Sequence, residues 1–128
     1  MKSRRKLSDA NLEIMNVVWK KGREVSINEV FEAVNAERQE KVTRSTVQVQ
    51  MRRLEAYGWL THRKHNREFV YSALREEAEA KRGMLRHLRD RVFGGSTADL
   101  VKCLFEAETL TPAELRRLRE LLERRPKE

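Results

Sequence analysis

Residues 41–67 concentrate the side chains of this chain that could bind an anion. Seven of them are basic and only one, Glu55, is acidic. The full chain carries 28 Lys and Arg against 20 Asp and Glu, for a formal net charge of +8. Guanidinium and ammonium groups bind phosphate through charge-assisted hydrogen bonds, and this binding releases counterions condensed on a polyanion. The stretch could therefore bind a polyanion, although a well-solvated basic surface would have the same composition.

The sequence has few residues suited to disulfide formation, metal binding or catalysis. Cys103 is the only cysteine of the sequence, which excludes an internal disulfide and a multi-cysteine metal site. His62 and His65 are three positions apart on a predicted strand and turn, which is poor geometry for a metal. The sequence has no cysteine–histidine pair, glycine-rich phosphate loop or paired carboxylates at usable spacing. We therefore expect no enzymatic activity, no cofactor and no metal.

A helix and a hairpin must position the basic residues. Thr43 could cap a helix whose apolar underside is Val47, Met51 and Leu54. A glycine then leads into two alternating strands with a tip at residues 65–67. A helix followed directly by a basic two-stranded ribbon is typical of a winged helix. In that fold the helix enters the major groove of DNA and the ribbon reaches a phosphate or the minor groove.

Two more helices are predicted before this one. Ser8 is a plausible N-cap for the first, and Ser26 with Glu29 forms a capping box that opens the second. Three helices and a wing are complete by about residue 74. The predicted fold is mainly α with a small β wing, with a winged helix-turn-helix DNA-binding domain over residues 1–74.

Residues 75–128 are predicted to form a helical dimerisation domain. Their apolar side chains are spaced for one face of short helices: Leu85, Leu88, Val92, Leu100, Val101, Leu104, Phe105, Leu115, Leu118, Leu121 and Leu122. Such helices cannot bury these faces alone, so they need each other, the first domain or a second chain. A second chain is favoured, because winged-helix proteins usually bind pseudopalindromes as two-fold dimers.

The residues of the predicted helix and wing form two groups of candidate DNA contacts. The base-edge candidates, in the first half of the helix, are Ser45, Thr46, Gln48 and Val49. The phosphate candidates are Thr43, Arg44, Arg52, Arg53, Arg63, Lys64 and Arg67. Gln48 could bond adenine N6 and N7, and the Val49 methyls could touch a thymine methyl. Exposed polar residues of a helix usually do nothing specific, and it is the neighbouring wing that favours a contact role here.

Four segments, LSDANLEIMNVVW, STVQVQMRRLEAYGWL, REFVYSAL and FGGSTADLVKCLFEAETLTPAELRRLRELL, resemble the BlaI/MecI family of penicillinase repressors. They do so in order and spacing, over residues 7 to 124. The resemblance implies a homodimeric winged-helix repressor that binds palindromic operators with TACA/TGTA-like half-sites and controls a β-lactam or other stress-response operon. In the best-known members, a membrane sensor-protease triggers cleavage of the repressor in its dimerisation region.

The chain departs from the family pattern at several positions. In the predicted helix that Thr43 caps, Gln50 replaces an apolar residue of the family and Val49 replaces a hydroxyl-bearing one. The regulatory cleavage bond of the penicillinase repressors aligns with Cys103 and Leu104, where neither residue matches the family's Asn and Phe.

Two further expectations concern location and alternative function. Asp9, Asn11 and Glu13 interrupt what would be a signal-peptide core, and no apolar run approaches the roughly 18 residues that span a bilayer. We therefore expect a cytoplasmic protein that does not insert into a membrane. The main alternative is a winged-helix protein-interaction module without specific DNA binding, and the basic residues of the helix and wing argue against it.

Overall fold

The computed structural model of the protein describes residues 7–124. Residues 1–6 and 125–128, the ends of the two predicted domains, lie outside the described residues. The helices are α1 (Asp9–Lys21), α2 (Ile27–Ala36), α3 (Arg44–Ala56), α4 (Glu77–Val92), α5 (Thr97–Ala107) and α6 (Pro112–Arg124), and the strands are β1 (Val25–Ser26), β2 (Leu60–His65) and β3 (Glu68–Ala73). This arrangement confirms the predicted fold class, mainly helical with a small sheet.

The predicted helix starts are confirmed. The Ser8 side chain accepts a hydrogen bond from the backbone N–H of Asn11 at the start of α1. Ser26 and Glu29 form the complete capping box of α2, with both reciprocal bonds at 3.1 Å. Thr43 caps α3. Each cap satisfies backbone amides that the first turn of a helix leaves without a partner, so short polar residues decide where the helices begin.

One core holds α1, α2 and α3 against the sheet. Met15, Val30, Met51, Leu54 and Leu60 have no exposed surface. Because α3 turns Met51 and Leu54 inward, its opposite side faces away from this core.

The sheet has three antiparallel strands in the order β1-β3-β2. The sequence predicted only the two-stranded wing, because β1 is two residues long and too short to show an alternating pattern. Val25 and Ser26 of β1 pair with Tyr71 and Val70 of β3.

The wing ends in a two-residue turn. His65 pairs with Glu68, and between them Asn66 and Arg67 have φ angles of 51° and 67°. Positive φ at both central residues is the requirement of a type I′ turn, which matches the twist of a hairpin. The sequence predicted the tip at residues 65–67, and the structure places the turn at Asn66 and Arg67.

The chain forms two compact units that divide between Lys81 and Arg82. The sequence placed the boundary between residues 74 and 75, in the loop before α4. The residues in between pack with the first unit. The Trp19 indole N–H donates to the Arg75 carbonyl at 2.9 Å, the Arg75 guanidinium lies 4.9 Å from the Trp59 ring centre, and Ala80 is 4% exposed.

The second unit has well-defined helix starts and no buried interior in α5 or α6. Ser96 accepts from the backbone N–H of Asp99, and Thr111 and Glu114 form the reciprocal bonds predicted for the start of α6. No residue of either helix is buried. These helices therefore form with their apolar side chains still open to solvent in the single chain.

Candidate nucleic-acid interface

The outward side of α3 carries the predicted base-edge residues. Ser45 and Thr46 are exposed, Val49 is 46% exposed and Gln48 is half-buried. They lie opposite the buried Val47 in the first half of the helix, where an α-helix that enters a DNA groove presents its side chains. All four are therefore accessible to a ligand that approaches α3 from outside the core.

The start of α3 is organised by short polar contacts. Thr43 Oγ1 accepts from the backbone N–H of Thr46 at 3.1 Å and lies 3.0 Å from the Thr46 hydroxyl. Arg44 Nε donates to Asn28 Oδ1 of α2 at 2.6 Å. Because Asn28 is neutral, this bond orients the Arg44 guanidinium without cancelling its charge. The amides of the first turn and the Arg44 cation together form a region that would attract a phosphate.

The remaining basic candidates differ in their partners. Arg52 and Arg53 on α3 and Lys64 and Arg67 on the wing are exposed. Arg63 is held differently, because its Nε and Nη2 donate to the two carboxylate oxygens of Glu24, each at 2.6 Å.

The Arg63–Glu24 pair perturbs both groups. The hydrogen bond from Arg63 lowers the pKa of Glu24, and the same bond raises the pKa of Arg63. The sequence could not anticipate this contact, since the two residues are 39 positions apart and Glu24 directly precedes the strand that was missed.

A second contact joins the wing to α3. His62 Nδ1 of β2 lies 2.7 Å from both carboxylate oxygens of Glu55. The His62 ring also packs on Phe69 and Tyr71, with ring centres 4.7 and 5.3 Å apart. This group, His62 with Glu55, Phe69 and Tyr71, is called the wing brace below.

The wing brace lies partly inside the protein. Tyr71 is 2% exposed, and burial raises its pKa, with the Glu55 charge adding to the rise and Arg52 opposing it. In the sequence, His62 is notable only as a poor metal ligand. The contact was missed because Glu55 and His62 are adjacent only once the chain has turned at Gly58.

The described residues contain neither a metal-binding cluster nor a membrane-spanning helix. Across residues 7–124, no three His, Cys, Asp or Glu side chains are grouped so that they could hold a metal ion. Over the same residues, no helix combines the length and the apolar character that crossing a membrane would need.

The predicted dimerisation residues lie on open faces of α4–α6. Leu85, Leu88, Val92, Val101, Leu104, Phe105, Leu115, Leu121 and Leu122 are exposed, while Leu100 and Leu118 are half-buried. Val101, Phe105, Leu118, Leu121 and Leu122 line an apolar groove between α5 and α6, with Arg124 at its edge. Cys103 is exposed and Leu104 is 51% exposed. Their roles in dimerisation and in cleavage stay predictions.

Comparison with known proteins identifies similar chains. The family model for the penicillinase repressor matches residues 7–124. The methicillin resistance regulatory protein MecI of Mammaliicoccus sciuri is 29% identical over 119 residues, which are 93% of this chain and 94% of that protein. The penicillinase repressor of Bacillus licheniformis is 29% identical over 123 residues, 96% of this chain and 94% of that protein.

Solved structures resemble the first unit. The DNA-binding domain of the repressor BlaI, solved in solution, matches with a TM-score of 0.53 and 34% identity, over 62% of this chain and 93% of that one. The monomeric form of Bacillus licheniformis BlaI in complex with the blaP half-operator matches with a TM-score of 0.50 at the same identity and coverage. These likenesses confirm the predicted winged-helix fold.

Proposed function

Because the chain belongs to the penicillinase repressor family, we propose that it is a homodimeric repressor that binds palindromic operator DNA and catalyses no reaction. The observation that carries this proposal is the surface formed by the outward side of α3 and the adjoining wing, where exposed basic residues flank the four base-edge candidates. A relative of the same fold is known in complex with a half-operator, which supports DNA as the ligand.

In the proposed complex, α3 lies in the major groove. Ser45, Thr46, Gln48 and Val49 face the base edges. The Gln48 amide can donate to and accept from one adenine, and the Val49 methyls can pack on a thymine methyl. Half-sites of the TACA/TGTA type offer both kinds of base. Val49 has no hydroxyl, so apolar contact with thymine replaces a hydrogen bond at that position.

Phosphate contacts hold α3 and the wing in register on the duplex. We assign them to the exposed cations of both elements and to the first turn of α3: Thr43, Arg44, Arg52, Arg53, Lys64 and Arg67. Arg44 is already oriented by Asn28, so it loses less side-chain freedom on binding than a long side chain without such a contact. Arg63 is set apart from this group because Glu24 already pairs with it.

Twofold pairing through α4–α6 supplies the second copy of the DNA-binding surface. The apolar groove between α5 and α6 and the exposed leucines around it favour another apolar surface over water. In a two-fold dimer the half-sites should be centred about one helical turn apart, roughly 34 Å, or a multiple of that distance.

Repression must be relieved when the regulated genes are needed. We propose that the protein acts in the cytoplasm and represses a β-lactam or other stress-response operon. A membrane sensor-protease would be the partner that relieves repression. Cleavage between Cys103 and Leu104 would cut within α5, where backbone hydrogen bonds must open first.

Equilibrium binding across a range of salt concentrations tests the function. The full chain is titrated against its own upstream region and against a random duplex of equal length. We expect the logarithm of affinity to fall with the logarithm of salt by about 0.9 per phosphate neutralised, together with tighter binding to a palindrome. A flat salt response would instead indicate a protein-interaction module.

A further inference from the structure

The two neighbouring cations of strand β2 lie on opposite faces of the sheet. His62 pairs with Tyr71 and Lys64 with Phe69, so Lys64 shares the face on which the wing brace meets α3. Arg63 pairs with Val70, which pairs in turn with Ser26 of β1. Arg63 therefore belongs to the other face, where Glu24 reaches it from just before β1.

Glu24 is held in place by its neighbours. Arg23 Nη1 donates to the Glu24 carbonyl at 2.8 Å, and Arg23 Nη2 donates to Glu29 at 2.7 Å. Glu29 in turn completes the capping box with Ser26. The segment around Glu24 is thus tied to the start of α2 and to the sheet, so its carboxylate is positioned for Arg63 before any ligand arrives.

The contact occupies the part of Arg63 that would bind a phosphate. Nε and Nη2 form two parallel bonds to the two carboxylate oxygens, which is the geometry that a guanidinium also uses toward two phosphate oxygens. All three cations of the wing are exposed, and the Arg63 side chain is itself 56% exposed, so the difference lies in the carboxylate partner of Arg63.

We infer that Glu24 competes with DNA phosphate for Arg63, so that Arg63 adds nothing to DNA affinity in the natural chain and the wing binds through Lys64 and Arg67. This inference rests on the proposed DNA-binding function. It gives the carboxylate a role in limiting affinity for duplexes of any sequence, because a phosphate contact strengthens specific and nonspecific binding alike. A repressor with weaker nonspecific binding spends less time on the excess of competing sites.

The test compares Glu24→Gln, Arg63→Ala, the double variant and Lys64→Ala in the full chain. Each is titrated by fluorescence anisotropy with a labelled random duplex between about 0.05 and 0.3 M salt. Glu24→Gln should steepen the salt slope by about 0.9 and tighten binding about five- to tenfold at 0.1 M, as expected for one added phosphate contact. Arg63→Ala, which leaves the Glu24 charge without its partner, should lower the slope less than Lys64→Ala, which should lower it by about 0.9.

The double variant separates release of Arg63 from a simple loss of negative charge. It should bind as the natural chain does, because the two positions again carry no net charge, with the gain of Glu24→Gln gone. Glu77→Gln is the matched charge control, since it breaks the exposed Glu77–Lys81 pair of α4 and changes the net charge equally. It should have little effect on the slope. A thermal melt of each variant confirms that it is folded, and Glu24→Ala repeats the test with a second side chain.

Three results would overturn the inference: Arg63→Ala lowering the slope as much as Lys64→Ala, a gain from Glu24→Gln that persists without Arg63, or weaker binding by Glu24→Gln. A natural chain that shows no salt-dependent DNA binding would overturn the proposed function as well. That outcome is read from the unsubstituted protein, so the two failures can be told apart.

Discussion

The two exposed surfaces of this protein differ in chemistry because the two units are built differently. In the first unit, α1–α3 and the sheet enclose Met15, Met51 and Leu60 completely, which leaves the outward side of α3 to polar and basic residues. In the second unit, neither α5 nor α6 has a buried residue, and Leu122 is 74% exposed. A unit with a complete core can bind a hydrophilic polymer reversibly. A unit with open apolar faces needs another apolar surface, and we therefore assign DNA to the first surface and a second chain to the other.

The largest expected effect comes from disrupting the proposed dimer. Leu118→Glu places a charge in the groove between α5 and α6 and should give a monomer. Linking two half-site contacts typically raises affinity by about 10²–10⁴-fold, so operator binding should fall by that order while binding to a single half-site is kept. Sedimentation and operator titration measure both quantities. Glu120→Ala, on the same helix, serves as the control, and an unchanged dimer in Leu118→Glu would contradict the assignment.

A pair of leucine truncations contrasts the two units directly. Leu54→Ala removes a fully buried side chain and should lower the free energy of unfolding by about 2–5 kcal/mol at any protein concentration. Leu122→Ala should lower the free energy of unfolding only when a partner chain covers the second unit. Its effect on unfolding in urea should therefore depend on protein concentration. A concentration-independent loss in Leu122→Ala would argue against a dimer seam at that face.

Within the first surface, base-edge and phosphate residues should separate by sequence dependence. Gln48→Ala should cost about 1–3 kcal/mol on the operator and relax the preference at one base step, with little change on random DNA. Lys64→Ala should weaken binding to all duplexes alike. Titrating both variants on the operator and on a random duplex checks this. Equal losses on the two duplexes for both variants would contradict the assignment.

The wing brace should matter for operator binding although it lies outside the proposed contacts. Glu55→Gln removes the charge that His62 Nδ1 faces at 2.7 Å, so the angle between α3 and the wing should be less well held. We expect an affinity loss of about 1 kcal/mol, the order of one hydrogen bond, with the salt slope kept. Operator titration measures the loss, with Glu32→Gln on α2 as the control. A lower slope would show that Glu55→Gln changes the phosphate contacts themselves.

The smallest predicted effect is a dependence on acid. A hydrogen bond from Arg23, followed by one from the Ser26 amide, lowers the pKa of Glu29 below its ordinary 4.5. A lowered carboxyl pKa stabilises the folded state above the ordinary value and loses that contribution as pH falls through the lowered one. Glu29→Gln should therefore reduce the acid sensitivity of the first unit by a few tenths of a kcal/mol, since solvent screens the pair. Unfolding from pH 7 to 3 measures it, and an unchanged pH profile would contradict it.

The helices and the outward side of α3 followed from local rules. Ser8, Ser26 and Thr43 each start a helix through bonds within three residues, and the inward spacing of Val47, Met51 and Leu54 leaves only one side of α3 for solvent. Both signals are visible in the sequence, because they depend on neighbours along the chain.

The partners of the basic residues did not follow from such rules. Arg63 and Lys64 are adjacent and equally basic in the sequence, yet only tertiary structure shows that Arg63 meets Glu24 across the sheet. The two compact units also divide within α4 and not in the loop before it, because Arg75 and Ala80 pack with the first unit.

The sequence alone therefore determined the helices, the wing, the family and which residues α3 turns outward. Tertiary structure decided that Arg63 pairs with Glu24, that β1 joins the wing, and that His62 links the wing to α3. The physical reason is the separation along the chain over which each kind of interaction acts. Caps and periodic apolar patterns act over a few residues, whereas ion pairs and strand pairing join segments whose approach depends on the folding of everything between them.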